Sequence, residues 1–217
     1  RQKLADGLAI IDPTSPGDAL VAIVPTGRRP ERVIRTAEGV FVSNRGSRTV
    51  TQVDPSTRTV VRTFQVGAEP VGLRVVDGTL LVAHATGRSV QALDVATGDR
   101  KWETKLDDDV RGLGVLPDGR AYVPGFKSGR VHVLNVASGA RAGEFSLAQP
   151  VDLRSGIDFD RAPLFAQDVV VAPDGRAYFT HSQTTNIELP PITAGYYSAG
   201  PAPAIAPGIT TVTPQNN

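Results

Sequence analysis

Apolar and polar positions alternate along this chain in short runs, and Asn, Asp, Ser and Gly separate the runs. Residues 39–70 set the pattern: Gly39-Val-Phe-Val-Ser-Asn44, then Thr49-Val-Thr-Gln-Val-Asp54, then Val60-Val-Arg-Thr-Phe64 and Gly67-Ala-Glu-Pro70. A period of two with turn residues at both ends predicts half-buried antiparallel strands joined by tight turns.

The pattern recurs. An Asp or Asn ends one strand and opens a turn at Asp12, Asp54, Asp94 and Asn135, at spacings of 42, 40 and 41 residues. A glycine precedes the marker by 15 or 16 residues at Gly39, Gly78 and Gly119, and recurs at Gly175. Asp and Asn suit the first place because their side chains bond the backbone two residues on, and Gly suits the second because it takes the positive φ of a tight turn. Four short strands, a to d, in every ~41 residues predict an all-β fold, a β-propeller of four-stranded antiparallel blades, each laid on its neighbours.

Three complete blades are expected at 25–65, 66–106 and 107–147, the third with its inner strand a at 110–116. Residues 1–24 read as strands c and d of an earlier blade, and 166–189 as strands a and b of a later one with strand c at 186–189. An insertion at 148–165 precedes that last blade, and the Pro-, Gly- and Ala-rich residues 190–217 read as an extended tail with a short strand at 209–212. The blades of residues 1–189 then form either a fragment of a larger propeller or a four-bladed ring in which the two half-blades combine.

Charge narrows the partners. The 217 residues carry 23 basic and 22 acidic side chains, a net charge of +1, which speaks against nucleic acid. No apolar run is long enough to span a bilayer, and the N-terminus lacks the apolar stretch of a signal peptide. Cysteine is absent, so this segment has no disulfide, no zinc thiolate site and no covalently attached haem. Methionine is absent as well, which fits an oxidising, extracytoplasmic setting and marks Arg1 as a processing site or the edge of a fragment.

Phe41-Val-Ser-Asn44, Thr49-Val-Thr-Gln-Val-Asp54 and Val66-Gly67-Ala-Glu-Pro70 together resemble the YVTN repeat of bacterial and archaeal β-propellers, with Phe for Tyr and Ser for Thr. Pro117-Asp-Gly-Arg-Ala-Tyr-Val123 and Pro173-Asp-Gly-Arg-Ala-Tyr-Phe179 resemble the same repeat's turn into strand b. The resemblance implies a secreted, periplasmic or surface location and a binding or scaffolding role. Some similar proteins continue into a c-type cytochrome or di-haem peroxidase domain. This chain has no Cys-x-x-Cys-His, so any haem is expected on another segment or partner.

Aligning the repeats puts Asn44, His84, Gly125 and His181 at one position, the start of the b to c loop. His84 and His181 are candidate metal ligands there, since imidazole suits zinc and copper, or else polar residues at a loop edge. His132, between Val131 and Val133 in strand c, is expected to be solvated. The loop cations Arg45, Arg48, Arg88, Lys127 and Arg130 are candidates for binding a carboxylate, a phosphate or an acidic protein surface, or else solvated charges. Arg28, Arg29, Arg32 and Arg111 lie on loops that lead into strands a.

Asp107, Asp108 and Asp109 offer a weak calcium site, because consecutive carboxylates do not all aim at one ion. Trp102 reads as blade packing, and Tyr196 and Tyr197 as partner contacts or a cover over a sheet edge. Motifs for nucleophilic or zinc-peptidase chemistry are missing. The expectation is a non-catalytic propeller module that supports a redox partner or larger assembly through a protein partner or the rest of its own polypeptide. The alternatives are an enzyme with a metal or anionic substrate at the b to c loops, and a self-assembling structural protein.

Overall fold

A computed structural model describes residues 6–14, 20–147, 161–185 and 206–212, and every regular element in them is a strand. β1 (Gly7–Ile11) and β2 (Leu20–Pro25) pair as a two-stranded sheet. Three four-stranded antiparallel sheets follow. The first is β3 (Pro30–Thr36), β4 (Gly39–Asn44), β5 (Thr49–Asp54) and β6 (Thr59–Gln65). The second is β7 (Pro70–Val76), β8 (Thr79–His84), β9 (Ser89–Asp94) and β10 (Arg100–Lys105). The third is β11 (Gly114–Val115), β12 (Arg120–Pro124), β13 (Arg130–Asn135) and β14 (Arg141–Ser146). A three-stranded sheet of β15 (Arg161–Val171), β16 (Ala177–Thr185) and β17 (Ala206–Val212) completes the set. These are propeller blades, with strands in meander order.

The marker residues act as their chemistry demands. Oδ1 of Asp54 accepts from the amides of Ser56 and Thr57, that of Asp94 from Ala96 and Thr97, and that of Asn135 from Ala137 and Ser138. Gly39, Gly78, Gly119 and Gly175 all have positive φ. The same turns then join the blades. Arg62 of β6 donates to the carbonyls of Ala96 and Thr97. One blade further on, Trp102 Nε1 and Thr104 Oγ1 of β10 donate to Val136 and Gly139. β6 and β10 thus grip the Asx turn of the next sheet, and Trp102 is packing at a blade interface, half-buried.

Alternation puts one face of each sheet against the other face of the next. Phe41, Val50 and Phe64 meet Leu73, Leu80, Val82 and Leu93. Leu81, Ala83, Val90 and Ala92 meet Leu113, Val123 and Leu134, while Tyr122, Val131 and Val133 meet Val169, Ala177 and Phe179. The two outermost faces lack such cover near the axis. Val33 is 55% exposed where its counterpart Leu73 is buried completely, and Val170 is 58% exposed on the last sheet.

Three expectations change and a fourth lies outside the described residues. The inner strand of the third blade is not a run over 110–116: it reduces to β11 plus an isolated bridge from Val110 to Gly125. Gly112 between them is pressed against β15, where an added Cβ would stand 2.5 Å from Asp168 Oδ1. The expected insertion contributes its end to β15, which pairs with β16 from Arg161 onward across an irregularity between Leu164 and Asp168. The strand expected at 186–189 lies outside the described residues, and the third strand on β16 comes from the tail as β17, with Ile209 opposite Thr180. β1 and β2 stand as a sheet of their own instead of completing that last blade, so the described sheets do not close a four-bladed ring.

Candidate functional site

The b to c loops and the loops leading into the inner strands share one face, because each b to c loop bonds the loop beside it. The amides of Arg45, Ala85 and Phe126 donate to the carbonyls of Arg29, Glu69 and Asp109 respectively. Asn44, His84 and Gly125 begin those b to c loops. The side chains of Asn44 and His84 point into the blades.

Asn44 is fully buried and its amide nitrogen donates to Thr49 and Thr51 on the neighbouring strand. His84 is equally buried, and its ring lies 3.2 Å from where a Cβ on Gly67 would stand. Burial pushes the His84 imidazole down, toward the neutral form, against the opposing pull of the Ala68 carbonyl and Gln91. Nε2 of His84 lies 3.1 Å from Gln91 Oε1, which also accepts from the Gly67 amide. Nε2 therefore carries the proton. The Gln91 amide passes the chain on to Glu103, whose carboxyl is held down at about 2, chiefly by Lys105.

The third blade makes the same node with different residues. His132 stands on strand c where Gln91 stands in the second blade, and it is not solvated as expected: it is 2% exposed. Asp108 supplies the reason, since its carboxylate lies 2.8 Å from His132 Nε2 and 3.2 Å from Arg130. Gly125 makes room for it, because a Cβ there would meet the Asp108 carboxyl at 2.9 Å. A histidine on strand b in one blade is thus replaced by glycine plus a carboxylate from the adjoining loop in the next. Asp107 turns to Arg141 and Asp109 to Arg88, so the three consecutive aspartates aim at three different cations and not at one calcium.

Among the described residues no group of three His, Cys, Asp or Glu could hold a metal ion. His181 sits in β16 opposite Gly208, is mostly buried, and has its imidazole pushed down by that burial. His84 and His181 belong to sheets two blades apart. Neither is placed beside the other.

The loop cations are largely committed. Arg45 donates through Nε and Nη2 to Glu69 at 3.0 and 2.8 Å and approaches Glu31 at 3.5 Å. Its guanidinium holds the Glu69 carboxyl below the usual range. Arg88 binds Asp109 at 3.1 Å, and Arg130 binds Asp108. Arg48 and Arg88 have positive φ, and their carbonyls accept from Val66 and Leu106, a backbone role that Gly129 takes in the third blade. Arg48 and Lys127 are exposed. Tyr196 and Tyr197 lie outside the described residues.

At the axis lies a cleft of about 470 Å³, lined by Glu31, Arg32, Val71, Arg111, Phe126, Gln167, Asp168 and Thr180. The inner strands build it. Arg32 on β3 forms an ion pair of 2.8 Å with Asp168 on β15, and Arg74 on β7 donates to the Val169 carbonyl at 2.8 Å. Gly72 lets the next blade approach, since a Cβ would stand 2.9 Å from the Arg111 carbonyl. Arg111 lays its guanidinium over the Phe126 ring, 4.5 Å from the centroid, and Phe126 meets Phe165 edge-on. Asp168, Arg74 and Phe126 carry no motif in the sequence. Arg74 and Asp168 lie on inner strands and Phe126 in a b to c loop, and the residue types do not recur at the equivalent positions of the other blades.

Compared with known proteins, residues 15–198 match the family described as outer membrane protein assembly factor BamB. This match supports the propeller repeat and leaves the likeness to YVTN repeats at the level of motif. No curated protein sequence matches. Among solved structures, hydrazine synthase of Kuenenia stuttgartiensis is similar at 19% identity and a TM-score of 0.54, over 86% of this chain and 63% of that one. A streptogramin B lyase is similar at 16% identity and a TM-score of 0.57, over 74% and 52%. The WD40 propeller domain of Doa1 is similar at 16% identity and 0.53, over 71% and 47%. The chain thus spans less than two thirds of each of these structures, and at such identities the likeness shows the propeller fold alone.

Proposed function

The chain belongs to the propeller family described as outer membrane protein assembly factor BamB, and on that premise we propose that it is a non-catalytic module that holds a protein partner in an extracytoplasmic compartment. The family match over residues 15–198 carries this reading, since that family is described as an assembly factor. Side-chain chemistry supports it. The polar position at the start of the b to c loop is spent on internal bonds in the three complete blades, as Asn44, His84 and the Asp108–His132 pair show. What reaches the surface of that face is a set of cations, Arg45, Arg48, Arg88, Lys127 and Arg130, three of them paired with Glu69, Asp109 and Asp108, a mixed-charge surface suited to a protein partner. No helix among the described residues is long and apolar enough to cross a membrane. The partner is another protein or the remainder of the same polypeptide, and any haem belongs to it.

Photo-crosslinking groups placed at Arg48 and Lys127 on the loop face, and at Pro55 and Asp118 on the opposite face, test this in the producing cells. Adducts of defined mass from Arg48 and Lys127 but not from Pro55 and Asp118 are expected. Turnover of a small substrate by the purified chain, or adducts from the opposite face alone, would overturn the reading.

A further inference from the structure

Arg111 stands apart from the other arginines around the axial cleft. Arg32 is paired with Asp168, Arg74 with the Val169 carbonyl and Asp168, and Arg45 with Glu69 and Glu31. Among the described residues no carboxylate lies within ion-pair distance of Arg111, and its Nε is buried without a hydrogen-bond partner. The four guanidinium groups face three carboxylates, those of Glu31, Glu69 and Asp168. The surplus positive charge belongs to the group as a whole, since Asp168 is shared by two arginines, Arg45 by two carboxylates, and Arg111 acts on Glu69 from a distance; Arg111 is the member with no carboxylate at ion-pair distance.

A buried donor without an acceptor costs free energy, and a guanidinium held flat on an aromatic ring presents its edge donors in a fixed plane. Phe126 lies under the Arg111 guanidinium, its ring centroid 4.5 Å from Cζ. The donors border a cleft whose other walls include apolar Val71 and Phe126 and uncharged Gln167 and Thr180. Planar bidentate donors of this kind match a carboxylate, and the volume suits one to three residues of a peptide.

We propose that the axial cleft is a carboxylate-binding site centred on Arg111, which takes an acidic peptide segment carrying its carboxylate beside an apolar side chain. The proposal rests on the protein-binding reading above and names the chemistry that the partner must present. The carboxylate accepts from the Arg111 edge, and the apolar side chain lies against Val71 and Phe126. Asp168 is neutralised by Arg32 and Arg74, and the repulsion from Glu31 is reduced by Arg45 at 3.5 Å, which Glu31 shares with Glu69. Rising salt weakens the contact by screening.

The test is an amide NMR titration of the full chain with acetyl-Leu-Glu-Leu-amide, its Gln counterpart, and acetyl-Leu-Leu with a free carboxyl terminus. Either carboxylate peptide is expected to shift the amides of Arg111, Gly112, Phe126 and Asp168 and to bind at least tenfold tighter than the Gln peptide. Preference between the Glu peptide and the free terminus identifies the source of the carboxylate. Arg111→Gln is expected to abolish that tenfold preference and Arg111→Lys to restore part of it, while Arg58→Gln in the exposed turn on the opposite face leaves it unchanged. Equal binding of the Glu, Gln and free-terminus peptides, absence of shifts at those amides, or an unchanged preference in Arg111→Gln overturns the site. Crosslinks at the loop face without any carboxylate preference would overturn the site alone and leave the protein-binding reading standing.

Discussion

At the scale of the residue, the same node in successive blades is solved with different chemistry, and each solution makes its own prediction. His84 is neutral in the folded chain because burial disfavours its charge. Its folded pKa lies below the ordinary value of 6.5, so the unfolded chain takes up the proton first as pH falls. The stability it contributes is full above that value and is lost progressively below it. The melting temperature is therefore expected to fall between pH 7.5 and 5.5, and to fall less in His84→Asn, which copies the Asn44 solution. Glu103 governs a second, more acid range: with its carboxyl at about 2 against an ordinary 4.5, its contribution is present above 4.5 and lost toward 2. Glu103→Gln should reduce that limb and leave the first one intact. In the third blade, Asp108→Ala strands the buried His132 nitrogen and the Arg130 head. A loss of roughly 1–3 kcal/mol in urea unfolding is expected.

At the scale of the element, stability depends on the grip of the outer strands β6 and β10 on the following Asx turns. Gly139 shows how close the fit is: its φ is 72° and an added Cβ would stand 2.6 Å from Trp102 Cδ2. Gly139→Ala is expected to cost roughly 2–3 kcal/mol, because strain in φ adds to overpacking against the indole. Gly78 provides the control. It has φ 67° but nothing within 4 Å of the Cβ position, so Gly78→Ala carries the backbone strain alone, about 1 kcal/mol. Chemical denaturation followed by Trp102 fluorescence reads both, and equal losses in the two variants would refute the packing account. The turns themselves were legible in advance, since an Asp or Asn followed two residues on by a free amide is a local event. The short β11 was not legible, because the residue that breaks it, Gly112, is crowded by Asp168 from a strand more than fifty positions away.

At the scale of the whole molecule, the inner strands converge until glycine is required. Gly112 cannot accept a methyl group without moving the Asp168 backbone, whose Cα is 2.7 Å from the Cβ position. Gly112→Ala is expected to cost roughly 2–3 kcal/mol and to raise amide exchange in β15 and β16 more than in β4 and β5. Uniform change across all sheets would argue against a local contact between the third blade and the last. The exposed Val33 and Val170 follow from the same architecture: a propeller face is apolar because a neighbour covers it, and in the described sheets the first and last faces have no complete neighbour.

Periodicity, turn chemistry and blade count are properties of neighbours in the chain, so the sequence by itself determined the all-β class, the four-stranded repeat and the Asx turns at Asp54, Asp94 and Asn135. It also directed attention to the position of Asn44, His84 and His181. Which way those side chains point, and whether a charge is left over, depends on groups brought together from separate blades. Tertiary structure alone turned His132 inward onto Asp108, placed β17 beside β16, and paired every cleft arginine but Arg111. Such pairings are decided by packing across the axis, and local sequence carries no record of them.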